Sequence, residues 1–375
     1  MAYQNVGTPR FYVSVLQWLK SIGQLNIHPH SSFEPSGKDA NAIVDINPSA
    51  QLSMTYKFSS DFHYESNSQL FRFQSLTNTY DKLMPEKQNF FMLLGHENFT
   101  DDKVAEYRMN KYGDWYWLAH TDYVNFSSTS SQYDGFSIGV ADNANLGNST
   151  NISMGVFDYH VTHVDPFKMG SILYGTYYQM PHSPDLQLTM SREYGGIKTI
   201  ETKGGASLSN AFYRGSPSWG DAGAWELYPA TQEPANANFA RSGRRVWDLS
   251  FSYLQDSDVF GPNQSSSYWN VAADAYKPMY TPTGTDTAGY EDDDIKRTTG
   301  GQALGFNYNI LTDDNFYSQV IHKTNVGQLP FVFQPDSSNY NPDQFAICKL
   351  DMKSFEFEQV AKNIYNINMK IREVW

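Results

Sequence analysis

Alternation with a period of two is the feature that most constrains this chain. Trp247, Leu249, Phe251 and Tyr253 alternate with Asp248, Ser250 and Ser252; Tyr365, Ile367, Met369 and Ile371 alternate with Asn366, Asn368, Lys370 and Arg372. Successive side chains of an extended strand point to opposite faces, so each set predicts a strand with one buried face and one wet face. Phe355 and Phe357 around Glu356 repeat the pattern, as do Leu186, Leu188 and Met190. Turn-forming clusters lie between such runs: Gly204-Gly205, Gly215-Ser216-Pro217, Gly261-Pro262-Asn263 and Pro335 to Asn339. Short strands separated in this way predict a mainly β protein of antiparallel β-sandwich or barrel domains with one or two short helices.

Composition supports that class. Aromatic residues make up 15% of the chain, and such side chains favour pleated, half-buried surfaces over helices. Helical spacing is confined to two places. Phe11, Val15, Trp18, Leu19 and Ile22 follow Pro9, with Gly23 placed to end the element; Asp101 to Lys111 has acidic residues in its first turn but a thin apolar face of Val104, Ala105 and Met109. With 375 residues the chain is long enough for two domains, expected over 1–185, with the short helix, and over 186–375. Two stretches read as polar loops, Ser127 to Ser131 with Asn143 to Asn151, and a long one over 281–299.

A formal net charge of −13 disfavours a counterion-release grip on nucleic acid and adsorption to an anionic membrane. The apolar run Phe90 to Leu94 is far shorter than the roughly 20 residues of a membrane span, and the first residues lack a basic region followed by an apolar stretch. The expectation is a soluble protein made in a cytoplasm. Cys348 is the single cysteine, so no intrachain disulfide or Cys-rich zinc site can form, and it is expected to be a small core residue.

Motifs that could carry chemistry are thin. Gly135-Phe136-Ser137-Ile138-Gly139 matches the G-x-S-x-G nucleophile elbow, whose sharp strand-to-helix turn exposes a serine. Here a strand running into a turn follows instead of a helix. Asp158, His160, His163 and Asp165 have metal-ligand chemistry, yet on a strand Asp158 and His160 face away from His163 and Asp165. His28 and His30 flank Pro29 in an expected loop, and two histidines rarely suffice for a metal. Asp286 and the run Glu291 to Asp294 offer oxygen ligands without the spaced pattern of a calcium loop, and read as a solvated acidic loop. Sequons at Asn98, Asn125, Asn148, Asn151 and Asn263 are the chance product of an Asn/Ser/Thr-rich chain. The paired glycines at 195–196, 204–205 and 300–301 are not followed by helix signals and read as hairpin turns rather than phosphate loops. No catalytic, cofactor-binding or metal residue is therefore assigned, no cofactor is expected, and the chain is read as no enzyme. Tyr213, Trp219, Trp225 and Tyr228 are open to two readings, core packing or a flat surface for stacking sugars.

Four phrases carry a resemblance: Ser242 to Tyr253 (SGRRVWDLSFSY), Gly327 to Asp336 (GQLPFVFQPD), Asp343 to Leu350 (DQFAICKL), and Gln359 to Tyr365 (QVAKNIY) leading into the last alternating run. In this order they resemble the β-domain endings of tail-tip, distal-tail and baseplate-ring proteins of tailed bacteriophages, over roughly residues 185–375. The resemblance implies a virion structural protein without an active site, synthesised and assembled in the host cytoplasm. It also implies a symmetric homo-oligomeric ring linking the tail tube to the baseplate or fibres, with other tail proteins as partners. Trp247, Phe251, Phe331, Phe333, Tyr365 and Ile367 are the expected framework. An aromatic-rich, carbohydrate-binding tail protein that recognises a host receptor is the alternative.

Overall fold

The computed structural model describes residues 6–29, 33–48, 50–56, 68–76, 83–85, 88–96, 105–110, 136–141, 156–161, 167–186, 188–193, 197–211, 243–259, 295–296, 305–306, 311, 313–340, 344–362 and 364–374. Along the chain the strands are β1 (Arg10–Ser14), β2 (Leu25–Pro29), β3 (Phe33–Gly37), β4 (Leu52–Tyr56), β5 (Ser68–Ser75), β6 (Asn89–Leu94) and β7 (Ala105–Asn110). Next come β8 (Phe136–Ala141), β9 (Val156–Val161), β10 (Phe167–Met169), β11 (Ser171–Gln179), β12 (Thr189–Glu193), β13 (Ile197–Glu201) and β14 (Ser207–Ala211). The last are β15 (Arg244–Gln255), β16 (Ile295–Lys296), β17 (Gly305–Phe306), β18 (Phe331–Gln334), β19 (Ala346–Leu350), β20 (Phe357–Ala361) and β21 (Ile364–Glu373). Helices are few and short: α1 (Val15–Ser21), α2 (Asp256–Val259), a 3-10 turn over Ala40–Ala42 and a π-helix over Tyr317–His322.

A ten-stranded antiparallel sheet dominates. Its order is β12-β15-β21-β19-β18-β1-β11-β6-β8, with β20 also paired to β21. It thus draws β1, β6, β8 and β11 from residues before 185 and its other strands from residues after 185, with β1 seated between β11 and β18. A four-stranded sheet (β2-β5-β9-β7), a three-stranded sheet (β10-β4-β3) and two two-stranded pairs (β13-β14 and β16-β17) complete the described β structure. The result is a mainly β protein of several antiparallel sheets and a few short helices. No described sheet closes into a barrel or sandwich, unlike the sequence expectation. The large sheet instead runs as an open path and buries apolar side chains on both faces.

Alternation decides which side chain goes to which face. Phe11 and Val13 join Trp247, Leu249, Phe251, Phe331, Phe333, Cys348, Ile367 and Met369 in one core. Tyr12, from the same strand, points the other way and packs with Phe90, Met92, Leu173, Tyr177, Val332 and Phe345. A third core gathers Val15, Leu16, Trp18 and Leu19 of α1 with Phe71, Phe73, Phe91, Leu93, Ile172 and Tyr174. Five of the six expected framework residues are buried in the Phe11 core, and Tyr365 is half-buried against it. Cys348 is fully buried there too.

β1 and β11 approach so closely at Gly175 that a Cβ there would collide with the Val13 carbonyl oxygen, an atom fixed by the ladder. Gly175→Ala is expected to lower stability by about 1–3 kcal/mol, the usual cost of overpacking, read as a drop in thermal midpoint.

Several sequence expectations are corrected. The helix predicted from Phe11 begins only at Val15, because Arg10–Ser14 is strand β1. Its spacing mimicked a helix because Phe11, Tyr12 and Val13 are all buried, two on one face and one on the other. Ser14 makes the switch: its hydroxyl accepts the Gln17 N–H at 3.4 Å as an N-cap, and Gly23 ends the helix with φ +70°. Within the second predicted helix, Ala105–Asn110 is strand β7, paired to β9. Leu188 and Met190 pack against the Phe11 core as their alternation predicts, but Leu186 precedes β12 and is fully exposed. Tyr253 also leaves its predicted face. A bulge between Phe251 and Leu254 inserts an extra residue, so Leu254 takes the buried position and Tyr253 turns outward. Gly204-Gly205 does form a hairpin turn, between β13 and β14, with Gly205 at φ +79°.

Candidate functional site

The chemistry-bearing candidates of the sequence do not converge. Ser137 lies inside β8 opposite Leu93, on an extended strand and not on the sharp turn of a nucleophile elbow. Asp158 and His160 are both in β9. Asp158 stands in register with Arg72 and Arg108, and His160 with Gln69 and Glu106. His163 and Asp165 lie outside the described residues. His28 is in strand β2, not in a loop, and is exposed; His30 lies outside the described residues. Asp286, Glu291 to Asp294, the five sequon asparagines, and Tyr213, Trp219, Trp225 and Tyr228 also lie outside them. Of the 281–299 stretch, Ile295–Lys296 is described, as a strand paired with Gly305–Phe306. Among the described residues no group of three or more His, Cys, Asp or Glu side chains is placed to hold a metal ion.

The polar groups that sequence reading missed are buried ones. Arg245 and Glu373 form a two-pronged ion pair inside the Phe11 core: Nη2 donates to Oε1 at 3.0 Å and Nε to Oε2 at 3.2 Å. The Arg245 backbone N–H donates to Oε2 at 2.8 Å, and Nη2 also donates to the Phe345 carbonyl at 2.6 Å. The pair fastens β15 to the end of β21 beside β19, with the guanidinium carbon 5.3 Å from the Trp247 ring centre. Burial, then the Glu373 charge, push the Cys348 thiol well above its ordinary range, which makes it an unreactive core residue. Arg245 lies just before the alternating run, on the parity of its buried set, where a charge needs a partner. Only its register opposite Glu373 across two strands distant in sequence gives it a partner, and register is not written in either strand alone.

A second buried network surrounds the π-helix. Lys323 caps its end and is completely buried; Nζ donates to the Leu311 carbonyl at 2.9 Å and to Gln319 Oε1 at 2.7 Å. Gln319 Oε1 also accepts from the Thr176 hydroxyl at 2.8 Å, which ties the helix to β11. Burial pulls the Lys323 ammonium down to about 7, opposed by the charge of Asp314. At the adjacent position, the His322 ring lies 5.5 Å from that of Trp18, and burial and the neighbouring Lys323 charge lower its pKa. These groups tie the π-helix to β11 and to α1.

His96, at the end of β6, is 3% exposed, and burial drives its pKa from 6.5 to about 4, partly offset by a hydrogen bond to the Phe136 backbone. Between these values the unfolded chain binds a proton that the folded chain refuses, so stability falls as the pH drops through this window. The expected loss is about 3 kcal/mol, at about 1.4 kcal/mol for each tenfold change in proton affinity. Urea unfolding at neutral and at mildly acidic pH checks it. His96→Gln should show a shallower acid decline than the parent chain.

No family model matches the chain, and no curated protein or solved structure matches it. The class defined by the fold is a mainly β protein of open antiparallel sheets, held together by aromatic cores and by buried polar ties between strands far apart in sequence.

Proposed function

We propose that this chain is a non-enzymatic structural protein of a bacteriophage tail, assembling in the virion as a symmetric ring that links the tail tube to the baseplate or fibres. One observation carries the reading. The four phrases that resemble tail proteins contribute β15, β18, β19 and β20 and lead into β21, and these five strands are neighbours in one sheet over one core. Segments scattered over more than a hundred residues of sequence thus form a single structural unit, which is consistent with the order in which the phrases resemble a tail-protein ending. Low charge content fits the same role, since surfaces buried between subunits are depleted in charged residues.

Electron microscopy of the particle tests the proposal. A closed ring of copies at the tail is the expected result, and a protein absent from particles would overturn it.

A further inference from the structure

The buried polar network at the π-helix borders a residue whose side chain has no partner. Asn89 opens β6 and stands directly opposite Thr176 of β11, so the two side chains leave the sheet on the same face with their Cβ atoms about 5 Å apart. On that face the Thr176 hydroxyl donates to Gln319 Oε1, and the same oxygen accepts from Lys323 Nζ. Asn89 is 1% exposed, yet neither its Oδ1 nor its Nδ2 has a hydrogen-bond partner. Buried polar atoms of folded proteins nearly always have one, so the gap points to something small lodged beside them.

The donors left over identify its chemistry. The Lys323 ammonium carries three hydrogens, of which two go to the Leu311 carbonyl and to Gln319 Oε1. Gln319 Nε2 gives one of its two to the Asp313 carbonyl at 2.5 Å, and Asn89 Nδ2 gives neither. One hydrogen on Lys323, one on Gln319 and two on Asn89 thus remain to be accepted. The charge in the corner is positive as well. Among the described residues no carboxylate forms a salt bridge with Lys323, and Asp314, which favours the ammonium, is itself exposed. A water would accept some of these hydrogens but bring no charge, and a metal cation would be repelled by the ammonium.

We propose that the corner between Asn89, Gln319 and Lys323 binds one small monovalent anion of the chloride type. The anion lies between the ammonium and the two carboxamide nitrogens, where it supplies the counter-charge that a buried cation needs and accepts the hydrogens the protein leaves over. It ties the π-helix to β6, as the Thr176 hydroxyl already ties it to β11. Occupancy and protonation go together: the anion enters where Lys323 is charged, at and below neutral pH, and the titratable groups beside the lysine are Asp314 and His322. Without a halide the lysine keeps its lowered affinity for the proton. The site is independent of the tail reading and of any ring.

Urea unfolding of the full chain at mildly acidic pH, in sodium chloride or bromide against sodium gluconate at equal ionic strength, tests the site. For an anion bound only by the folded chain, each tenfold rise in halide above its dissociation constant should raise the folding equilibrium constant about tenfold, and gluconate should give no such rise. Asn89→Leu and Lys323→Met should both lose the halide dependence while staying folded, since each puts an apolar side chain of similar size where a buried polar one stood. In crystals soaked in bromide an anomalous peak should lie between Lys323 Nζ and Asn89 Nδ2. If a variant fails to fold, the parent titration and the crystal decide. The proposal is overturned if halide and gluconate act alike on the parent chain, if either variant keeps the halide dependence, or if a water fills the corner in place of bromide. A bromide peak without an effect in solution would mean binding at crystal concentration only, and would overturn it equally.

Discussion

Replacing Glu373 by glutamine is expected to lower the unfolding free energy by about 3–5 kcal/mol, the usual cost of removing one partner from a buried ion pair. The geometry explains why the loss is large. Arg245 and Glu373 are 4% and 3% exposed, so neither charge can turn to water when the other is lost. Arginine does not shed its proton inside a protein, and glutamine keeps one acceptor oxygen but turns its NH2 group toward donors that both carboxylate oxygens had accepted from. Total stabilities of folded domains are about 5–15 kcal/mol, so this one amide would remove a large fraction. Chemical denaturation midpoints measure it. The pair itself is worth much less than the cost of breaking it, because both ions had to be stripped of water. Arg245→Met together with Glu373→Leu should recover most of the loss, and the double-mutant cycle should show strong coupling. If Glu373→Gln left the midpoint unchanged, β15 and β21 would have to be held by their ladder and apolar packing alone.

The same strands show how far the sequence could be read. Alternation identified β15 and β21 and most of their buried residues, because period-two patterning fixes which face each side chain takes. It carries no information on which strands are neighbours. Nothing in Arg10–Ser14 announces that it lies between Gln179 and Gln334, joining the two halves of the chain in one sheet. β1 was also unreadable as a strand, since a strand buried on both faces loses its alternation and looks like a helix start. Tyr253 marks another limit. The sequence runs Trp247, Leu249, Phe251, Tyr253 without interruption, and only the bulge against β21 turns the tyrosine out and Leu254 in. A bulge is set by the pairing of two strands, so a residue that patterning assigned to the core ends on the surface. Lys323 and His96 escaped notice for a similar reason: an isolated charged or titratable residue in sequence is usually solvated, and their burial is a property of the assembled fold.

Lys323 gives the other large expected effect, and its sign is opposite to intuition for a basic residue. In the folded chain its pKa is about 7 against 10.5 for a free lysine. Between those values the unfolded chain binds a proton that the folded chain does not, so stability rises with pH across the window and is lower at neutral pH. The expected gain from about pH 7 to above pH 10 is about 4–5 kcal/mol for this residue, again at about 1.4 kcal/mol for each tenfold change in proton affinity. Lys38, drawn down to about 8 by burial, contributes in the same direction over a narrower range. The charged group acting on Lys323 is Asp314, which favours the ammonium, and the lysine charge in turn lowers the neighbouring His322. Lys323→Met separates the contributions. Its stability should change little with pH in the Lys323 window apart from the part due to Lys38. It should match or exceed the parent at neutral pH, because Gln319 Oε1 keeps the Thr176 hydroxyl as a donor when the ammonium is gone. Guanidinium unfolding of both proteins at neutral and alkaline pH decides the matter. Parallel profiles would mean that the network around the π-helix opens to water, and that the lysine is charged throughout. A flattened profile would mean that the end of the π-helix is sealed by a lysine kept close to neutrality, with Thr176, Gln319 and the Leu311 carbonyl acting where a carboxylate would normally stand.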